Sequence, residues 1–509
     1  MPQPPFELEE ATIADLQQRI ATGRDTARSL AEKYLARIEA VDRRGPATRS
    51  VIEINPDAAA DAERLDAEHA RGAPRGPLHG IPMLIKDNFA TADRMMTTAG
   101  SLALVGARPP ADAFVVRRLR AAGVVLLGKT NMSEWAEFRS VHCCAGWSGR
   151  GGQTRNPYAL DRSPMGSSSG SAVAVAANLC AVALGTETDG SIVLPANNNS
   201  VVGLKPTLGL ASRHGIVPVS HNQDTPGVLA RTVRDAAIIL GVIAGRDRAD
   251  PATRAIPRRR HDFTASLDRR GLKSARIGVV RSQLFGNSVA ADRAADAALA
   301  VIKDEGAVLV DPANFATLWK FDDTELEVLA CDFKADLRRF LAWIGASAKV
   351  RSLEDVIAFN TTHAASEMPY FGQELMTMAE RKGPVTSKAY RAALAANHRL
   401  TRTLGIDAVV KKHRLDALVA PTGGPPALID LVNGDGGTWA VSSPATIAAV
   451  AGYPHISVPM GYARGLPMGI SFFGRAWSEP TLIRLAYAYE QATTHRRSPT
   501  FAPTADVTL

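Results

Sequence analysis

Two segments rich in glycine and serine are the part of this sequence best suited to chemistry. The first spans residues 165–171 and the second spans residues 185–192, with an alanine- and valine-rich stretch between them. Serine is a weak nucleophile at its own pKa and needs a base that removes its proton. Glycine also lets the backbone come close to a ligand. The two segments therefore raise the question of which serine reacts and which side chain takes its proton.

A lysine upstream is the candidate base. Lys86 follows the apolar residues 81–85, which predict a short buried strand. A lysine accepts a proton only when neutral, and at an ordinary pKa about one molecule in two to three thousand is neutral at pH 7. Lowering the pKa by about three units takes about 4 kcal/mol of desolvation, which burial at a strand end can supply. Taken alone, Lys86 is more simply explained by an ion pair to Asp87.

Two other motifs match by letter but not by context. Residues 123–130 fit the phosphate-loop pattern, but their four variable positions are valine and leucine, which favour a strand. Residues 166–170 fit the nucleophile elbow with Ser168 at the centre, but a polar, proline-interrupted segment precedes them where the elbow needs a strand. No S-x-x-K motif occurs in the chain. These contexts disfavour an NTPase, an α/β-hydrolase and a β-lactamase-like enzyme.

Composition bounds the class of protein. The 509 residues carry a net charge of +8, and the densest basic run, residues 258–261, favours a surface connection over a nucleic-acid contact. The four cysteines are too few and too irregular for a disulfide framework or a zinc site. No apolar run reaches the roughly 20 residues that span a bilayer. The N-terminus lacks the features of a signal peptide, so we expect a cytoplasmic protein in this form, or a periplasmic or secreted one if a signal has been removed.

The elements that must position the serines and the lysine alternate between strands and helices. Strands are predicted at 81–85, 124–127, 201–204, 276–280, 415–420, 455–460 and 468–473. Helices are predicted within 10–41 and at 114–119, 172–184, 225–244 and 480–491, with mostly helical structure at 285–405. Such alternation predicts a layered α/β architecture.

These segments together resemble the amidase signature family. The matching residues are 80–88, 128–134, 166–171, 185–192, 203–207, 450–454 and 465–469, with Gly215, Pro218, Asp224 and Gly227. The resemblance covers nearly the whole chain. It implies a single amidase domain at 1–509, with a mixed central β-sheet flanked by helices. It also implies a signature core at about 76–245 and a variable, mostly helical substrate-side region at about 285–405.

The resemblance also implies the site residues. The family uses a Ser–cis-Ser–Lys triad, which places the nucleophile at Ser191, the bridging serine at Ser167 and the base at Lys86. Ser167 is expected to follow a cis peptide bond. The oxyanion hole is expected from the backbone N–H groups of Thr188, Asp189, Gly190 and Ser191. The family needs no metal and no cofactor, so none is expected.

Within the family the chain is most similar to the peptide amidases, which remove the C-terminal amide from peptides. Residues 151–157, 166–178, 186–191, 223–227 and 476–480 carry this closer match. The resemblance implies a small-molecule or peptide amide substrate, an acyl-enzyme and release of ammonia by a monomer or homodimer, without nucleic acid or membrane. The alternatives are an aryl- or indole-acetamide amidase, the A-type subunit of a tRNA amidotransferase and a catalytically silent binding protein.

Two positions depart from the family pattern. Most members have glycine where Asp189 stands, and we interpret this residue as a specificity feature. Residues 197–200 read Asn-Asn-Asn-Ser, where the family has small or apolar residues and a glycine at position 200. We expect these side chains to affect the pocket or the packing without touching the triad.

Overall fold

The computed structural model describes residues 6–257, 261–434 and 443–506. Most of the basic run at 258–261 therefore lies outside the described residues. The strands are β1 Val51–Ile54, β2 Pro82–Lys86, β3 Val125–Thr130, β4 Trp147–Ser148, β5 Gly152–Gln153, β6 Val182–Glu187, β7 Val202–Lys205, β8 Thr225–Ala230, β9 Arg276–Val279, β10 Val308–Val310, β11 Ala417–Pro421, β12 His455–Ala463 and β13 Leu466–Phe473.

Helices surround these strands. They are α1 Ile13–Ala21, α2 Ala27–Arg37, α3 Ala58–Ala70, α4 Phe114–Ala121, α5 Ser169–Ala176, α6 Val193–Asn198, α7 Val233–Ile243, α8 Val289–Asp304, α9 Asp322–Ile344, α10 Leu353–Thr362, α11 Ala364–Glu367, α12 Glu374–Glu380, α13 Lys388–His398, α14 Asp407–His413, α15 Ala445–Val450 and α16 Glu479–Thr493. The region at 285–405 contains α8 to α13. No helix among the described residues is long and apolar enough to cross a membrane.

Eleven strands form one mixed sheet, in the order β1-β3-β2-β6-β8-β7-β12-β13-β11-β9-β10. The β3, β2 and β6 strands run parallel, and so do β11, β9 and β10. The other neighbouring pairs are antiparallel. The strands β2, β3, β6, β7, β8 and β11 are buried along their whole length, as expected for a sheet covered on both faces. The prediction of a single α/β domain with a mixed central sheet is confirmed.

Two predicted helices are wrong in part. The apolar stretch at 172–184 divides into α5 and β6, and Asn178 takes a left-handed conformation with φ 59° in the connecting turn. The segment at 225–244 begins as β8 and becomes helical only at α7, where the Thr232 side chain accepts a hydrogen bond from the Asp235 N–H. A strand buried on both faces is as uniformly apolar as a buried helix, so hydrophobicity alone does not separate the two.

Candidate active site

The three predicted site residues lie at the same edge of the sheet. Lys86 is the last residue of β2, and Ser191 lies between the end of β6 and the start of α6. Because β2 and β6 are parallel neighbours, their carboxyl ends meet at this edge. Ser167 lies just before α5, the helix that connects back to β6.

The side chains of these residues form a continuous hydrogen-bonded chain. The Nζ of Lys86 donates to the Oγ of Ser167 at 2.7 Å, and the Oγ of Ser167 donates to the Oγ of Ser191 at 3.0 Å. Lys86 and Ser167 are fully buried, while Ser191 is 4% exposed. The peptide bond between Gly166 and Ser167 is cis. A proton can therefore pass between Ser191 and Lys86 through Ser167.

Lys86 sits among neutral oxygen atoms. Its Nζ also contacts the Oγ of Ser168 at 3.1 Å, and the Oγ1 and carbonyl oxygen of Thr186 at 3.0 and 3.3 Å. Burial lowers the pKa of Lys86 from 10.5 to about 7, against the opposing charges of Glu137, Asp224 and Glu187. The lowered pKa expected from the sequence is confirmed, and a large fraction of Lys86 is neutral near pH 7.

Asp87 does not neutralise Lys86. Its carboxylate receives a hydrogen bond from the Gly100 N–H at 3.1 Å and forms an ion pair with Arg150 at 3.2 Å. Asp87 lies in the turn that follows β2, and its carboxylate is engaged by Gly100 and Arg150 rather than by the lysine. The alternative of an ion pair between the two neighbours is therefore excluded by the structure.

The segment that follows β6 is held in place from both ends. The Oε2 of Glu187 accepts hydrogen bonds from the N–H groups of Ile192 and Val193 at 2.8 and 3.1 Å. The N–H of Ser168 donates to the Ser191 carbonyl at 3.2 Å. Gly190 has φ 73°, and a Cβ there would lie 2.6 Å from the Cδ1 of Leu194. The positive φ favours glycine at position 190, and a Cβ there would also require the Leu194 side chain to shift.

The four backbone N–H groups predicted for an oxyanion hole differ in their surroundings. The Gly190 N–H is engaged by the carboxylate of Glu187. Those of Thr188, Asp189 and Ser191 donate no hydrogen bond to another residue in the described ranges. The side chain of Thr188 is held by Asp224, because the Thr188 Oγ1 donates a hydrogen bond to the Asp224 Oδ1 at 2.7 Å. Three of the four predicted N–H groups thus have no acceptor among the described residues.

One acidic residue near this segment was not predicted from the sequence. Glu325, in the first turn of α9, accepts a hydrogen bond at 2.8 Å from the Nε2 of Gln223, which also contacts the Thr188 carbonyl at 3.2 Å. Burial, and then the charge of Asp189, raises the pKa of Glu325. Burial likewise raises the pKa of Asp189, followed by the charge of Glu187. A glutamate near a helix N-terminus gives no sequence signal of such a contact, because over a hundred residues separate it from the loop.

The three asparagines are hydrogen-bonded rather than loosely packed. The Nδ2 of Asn199 donates to the Pro164 carbonyl at 2.8 Å, and that of Asn198 donates to the Ser163 carbonyl at 3.1 Å. These contacts connect α6 to the segment that precedes Ser167. Asn197 faces elsewhere: its Nδ2 donates to the Gly424 carbonyl at 2.9 Å, and its Oδ1 accepts from the Gly469 N–H at 2.7 Å. No hydrogen bond links any of the three to the side chains of the predicted triad within the described residues.

The motifs set aside from the sequence have structural explanations. The phosphate-loop pattern at 123–130 is largely strand β3, and its Lys129 is buried and donates to the carbonyls of Phe89 and Met96 at 2.6 and 3.0 Å. Ser168, the centre of the elbow pattern, donates to the Thr186 carbonyl at 3.0 Å. The strand predicted within 123–130 is confirmed.

One group of side chains has the composition of a metal site. Potential ligand atoms of His221, Asp332 and Asp336 lie within 4.8 Å of one another. The hydroxyls of Ser220 and Tyr390 already donate to Asp332, at 2.6 and 2.8 Å. The Nδ1 of His221 lies 2.9 Å from an Asp336 oxygen. These contacts form a hydrogen-bonded network that joins residues 220–221 to α9 and α13.

Comparisons with known proteins show the family of this chain. The Amidase family model matches residues 29–483. The native peptide amidase of Stenotrophomonas maltophilia is 51% identical, with a TM-score of 0.93 over 98% of this chain and 100% of that one. A probable amidase of Arabidopsis thaliana is 41% identical over 97% of this chain and 92% of its own length. The A-type subunit of glutamyl-tRNA(Gln) amidotransferase from Chloroflexus aurantiacus is 36% identical over 96% of this chain and 97% of its own length. The chain therefore belongs to the amidase signature family, whose members hydrolyse amide C–N bonds.

Proposed function

We propose that this protein removes the terminal amide from peptide amides, using Ser191 as nucleophile, Ser167 as proton relay and Lys86 as base. The observation that carries the proposal is the hydrogen-bonded chain from Lys86 through Ser167 to Ser191. A lysine with a pKa of about 7 can accept a proton at neutral pH and return it within the same turnover.

Acylation follows from this geometry. The Oγ of Ser191 attacks the amide carbonyl carbon while its proton moves to Ser167 and the Ser167 proton moves to Lys86. The carbonyl oxygen becomes an oxyanion, for which the N–H groups of Thr188, Asp189 and Ser191 are the available donors. Removing one well-placed oxyanion donor typically lowers kcat by about 10²-fold or more.

Collapse of the tetrahedral intermediate completes the first half of the reaction. The proton returns from Lys86 through Ser167 to the amide nitrogen, the C–N bond breaks and ammonia leaves. The same groups then act on water: a water proton moves through Ser167 to Lys86 as the water oxygen adds to the acyl carbon. Lys86 returns this proton through Ser167 to the Oγ of Ser191 as the ester bond breaks. The carboxylic acid is released and the Ser191 hydroxyl is restored.

The choice of a peptide amide rests on the peptide amidase from Stenotrophomonas maltophilia, which shares 51% identity along 98% of this chain. The glutamyl-tRNA(Gln) amidotransferase relative is more distant, at 36% identity, and free glutamine is the second candidate substrate. Aryl amides and indole acetamide are further candidate substrates within the family. A silent binding protein would not need a desolvated lysine in contact with two serines.

Ammonia release from four substrates tests the proposal. A peptide amide, an aryl amide, indole acetamide and glutamine are compared with the wild-type enzyme and with Ser191→Ala. We expect activity on the peptide amide and its loss in the variant. Ser212→Ala serves as the matched control, because Ser212 is buried and its Oγ donates to Asp247, outside the site.

Two results would contradict different parts of the proposal. Activity that survives Ser191→Ala refutes the nucleophile. Hydrolysis of glutamine alone, with the same dependence on Ser191, refutes the peptide amide substrate and leaves the mechanism intact.

A further inference from the structure

A small cavity lies beside Thr186, the residue whose side chain contacts Lys86. Its apolar wall includes Ile216 and Val217, and its polar wall consists of Asn88, Thr186, Thr188, Arg213, Asp224 and Thr225. The cavity has room for about one water molecule. Buried water is expected only where a cavity also offers two to four polar partners. The hydrogen bonding of the wall residues therefore determines whether this cavity can hold water.

The hydroxyl of Thr186 has a hydrogen without an acceptor whenever Lys86 is charged. Its Oγ1 lies 3.0 Å from the Nζ of Lys86 and accepts from the Nδ2 of Asn88 at 2.9 Å. A protonated lysine and an amide nitrogen are both donors, so neither takes the hydroxyl hydrogen. Among the described residues, Thr186 has no other side-chain contact through Oγ1.

The side-chain oxygen of Asn88, in turn, lacks a hydrogen-bond donor. It is 2% exposed, and its Oδ1 meets no donor among the described residues. A buried acceptor left without a donor costs about 1 to 3 kcal/mol. Asn88 and Thr186 both line the cavity, so one molecule that accepts from Thr186 and donates to Asn88 satisfies both groups.

We propose that this cavity binds one water molecule that accepts a hydrogen bond from Thr186, donates to Asn88 and stabilises the protonated form of Lys86. When Lys86 is neutral, the Thr186 hydroxyl can turn and donate to its nitrogen lone pair. When Lys86 carries the proton, the hydroxyl turns to the water. The hydrogen bond of Thr186 therefore changes partner each time Lys86 gains or loses the proton. This proposal rests on the proposed role of Lys86 as the base.

Charged groups around Lys86 also affect its pKa. The carboxylates of Glu137, Asp224 and Glu187 all favour the protonated lysine, and Arg213 lies on the cavity wall. These side chains remain unchanged when the water alone is displaced. A variant that fills the cavity with a methyl group thus isolates the contribution of the water.

Val217→Ile and Thr186→Val test the site in two ways. The first adds a methyl group at the cavity wall, and the second replaces the hydroxyl by a methyl group of similar size. Both variants are expected to lower the pKa of Lys86, because the protonated lysine loses the hydrogen bonding that stabilises it. The acidic limb of the kcat/KM profile should therefore move down by about one pH unit. Val182→Ile adds the same methyl group in β6, outside the cavity wall, and is expected to leave the limb in place.

A high-resolution crystal structure of the wild-type enzyme supplies a readout independent of activity. We expect a water within hydrogen-bond distance of both the Asn88 Oδ1 and the Thr186 Oγ1, and its loss from Val217→Ile. A wild-type structure without that water overturns the proposal. So does an unshifted acidic limb in Thr186→Val, or in a Val217→Ile enzyme that has lost the water. Full activity in Lys86→Met would instead refute the proposed function, so the two failures are distinguishable.

Discussion

Replacement of Lys86 by methionine tests both the chemistry and the energetics of the site. Methionine keeps a long unbranched side chain but cannot accept a proton from Ser167. General acid–base catalysis contributes about 10² to 10⁴-fold to the rate in typical enzymes. We therefore expect Lys86→Met to lower kcat for the peptide amide by at least about 10²-fold. The wild-type kcat/KM should rise about tenfold per pH unit below pH 7 and level off above it, since only neutral Lys86 is active.

The same replacement has a predicted effect on stability. The pKa of Lys86 falls from 10.5 in the unfolded chain to about 7 in the folded protein, which corresponds to about 5 kcal/mol. Because the folded state binds this proton less tightly, Lys86 destabilises the fold increasingly as the pH drops from about 10.5 to 7, and by a constant amount below 7. Lys86→Met removes this dependence.

The measurement compares unfolding of the two proteins between pH 7 and 10. The stability of Lys86→Met relative to wild type should increase as the pH falls across this range, by about 3 to 4 kcal/mol. The direction of this pH trend is the test, because Lys86→Met also removes the hydrogen bond from Lys86 to the Oγ of Ser167 and so shifts the stability by an amount that is independent of pH. A relative stability that is independent of pH, or a Lys86→Met enzyme within tenfold of wild-type kcat, would refute the reasoning.

Three further predictions concern the surroundings of this base. Ser167→Ala interrupts the proton path and should reduce kcat for the peptide amide by about 10²-fold or more with little change in KM; an unchanged kcat would exclude the relay. Asn199→Ala releases the contact at 2.8 Å to Pro164, and should lower kcat more than Asn197→Ala, whose contacts lie at Gly424 and Gly469; equal losses in kcat would contradict a positioning role. Asp189→Asn removes a carboxylate beside the nucleophile and should weaken selection between cationic and neutral peptide amides, measured as a ratio of kcat/KM values.

Sequence motifs, through their resemblance to the amidase signature family, were sufficient to name the candidate site residues. Lys86 follows an apolar strand, and Ser167 and Ser191 lie in segments whose glycines permit close backbone approach. These are properties of neighbouring residues, and the structure places all three side chains in one hydrogen-bonded chain. A layered α/β fold was also predictable, because most of the strands are short apolar segments between polar turns, whereas the mixed sheet was implied by the family resemblance.

The hydrophobic pattern of the sequence did not distinguish helices from strands where a segment is buried on all sides. The division of residues 172–184 into α5 and β6 depends on the turn at Asn178, and β8 is as apolar as the start of a buried helix. Neither the periodicity of a strand nor that of a helix is visible when every face is covered.

The tertiary structure decided what the groups can do. The pKa of Lys86 depends on its complete removal from water, which requires β3 and β6 on either side of β2. Asp87 is adjacent to the lysine in sequence, but in the folded protein its carboxylate forms an ion pair with Arg150. The contact between Glu325 and Gln223, and the cavity shared by Asn88 and Thr186, join residues about a hundred positions apart. The sequence determined which chemical groups are present, whereas packing between distant segments set their charge and their partners.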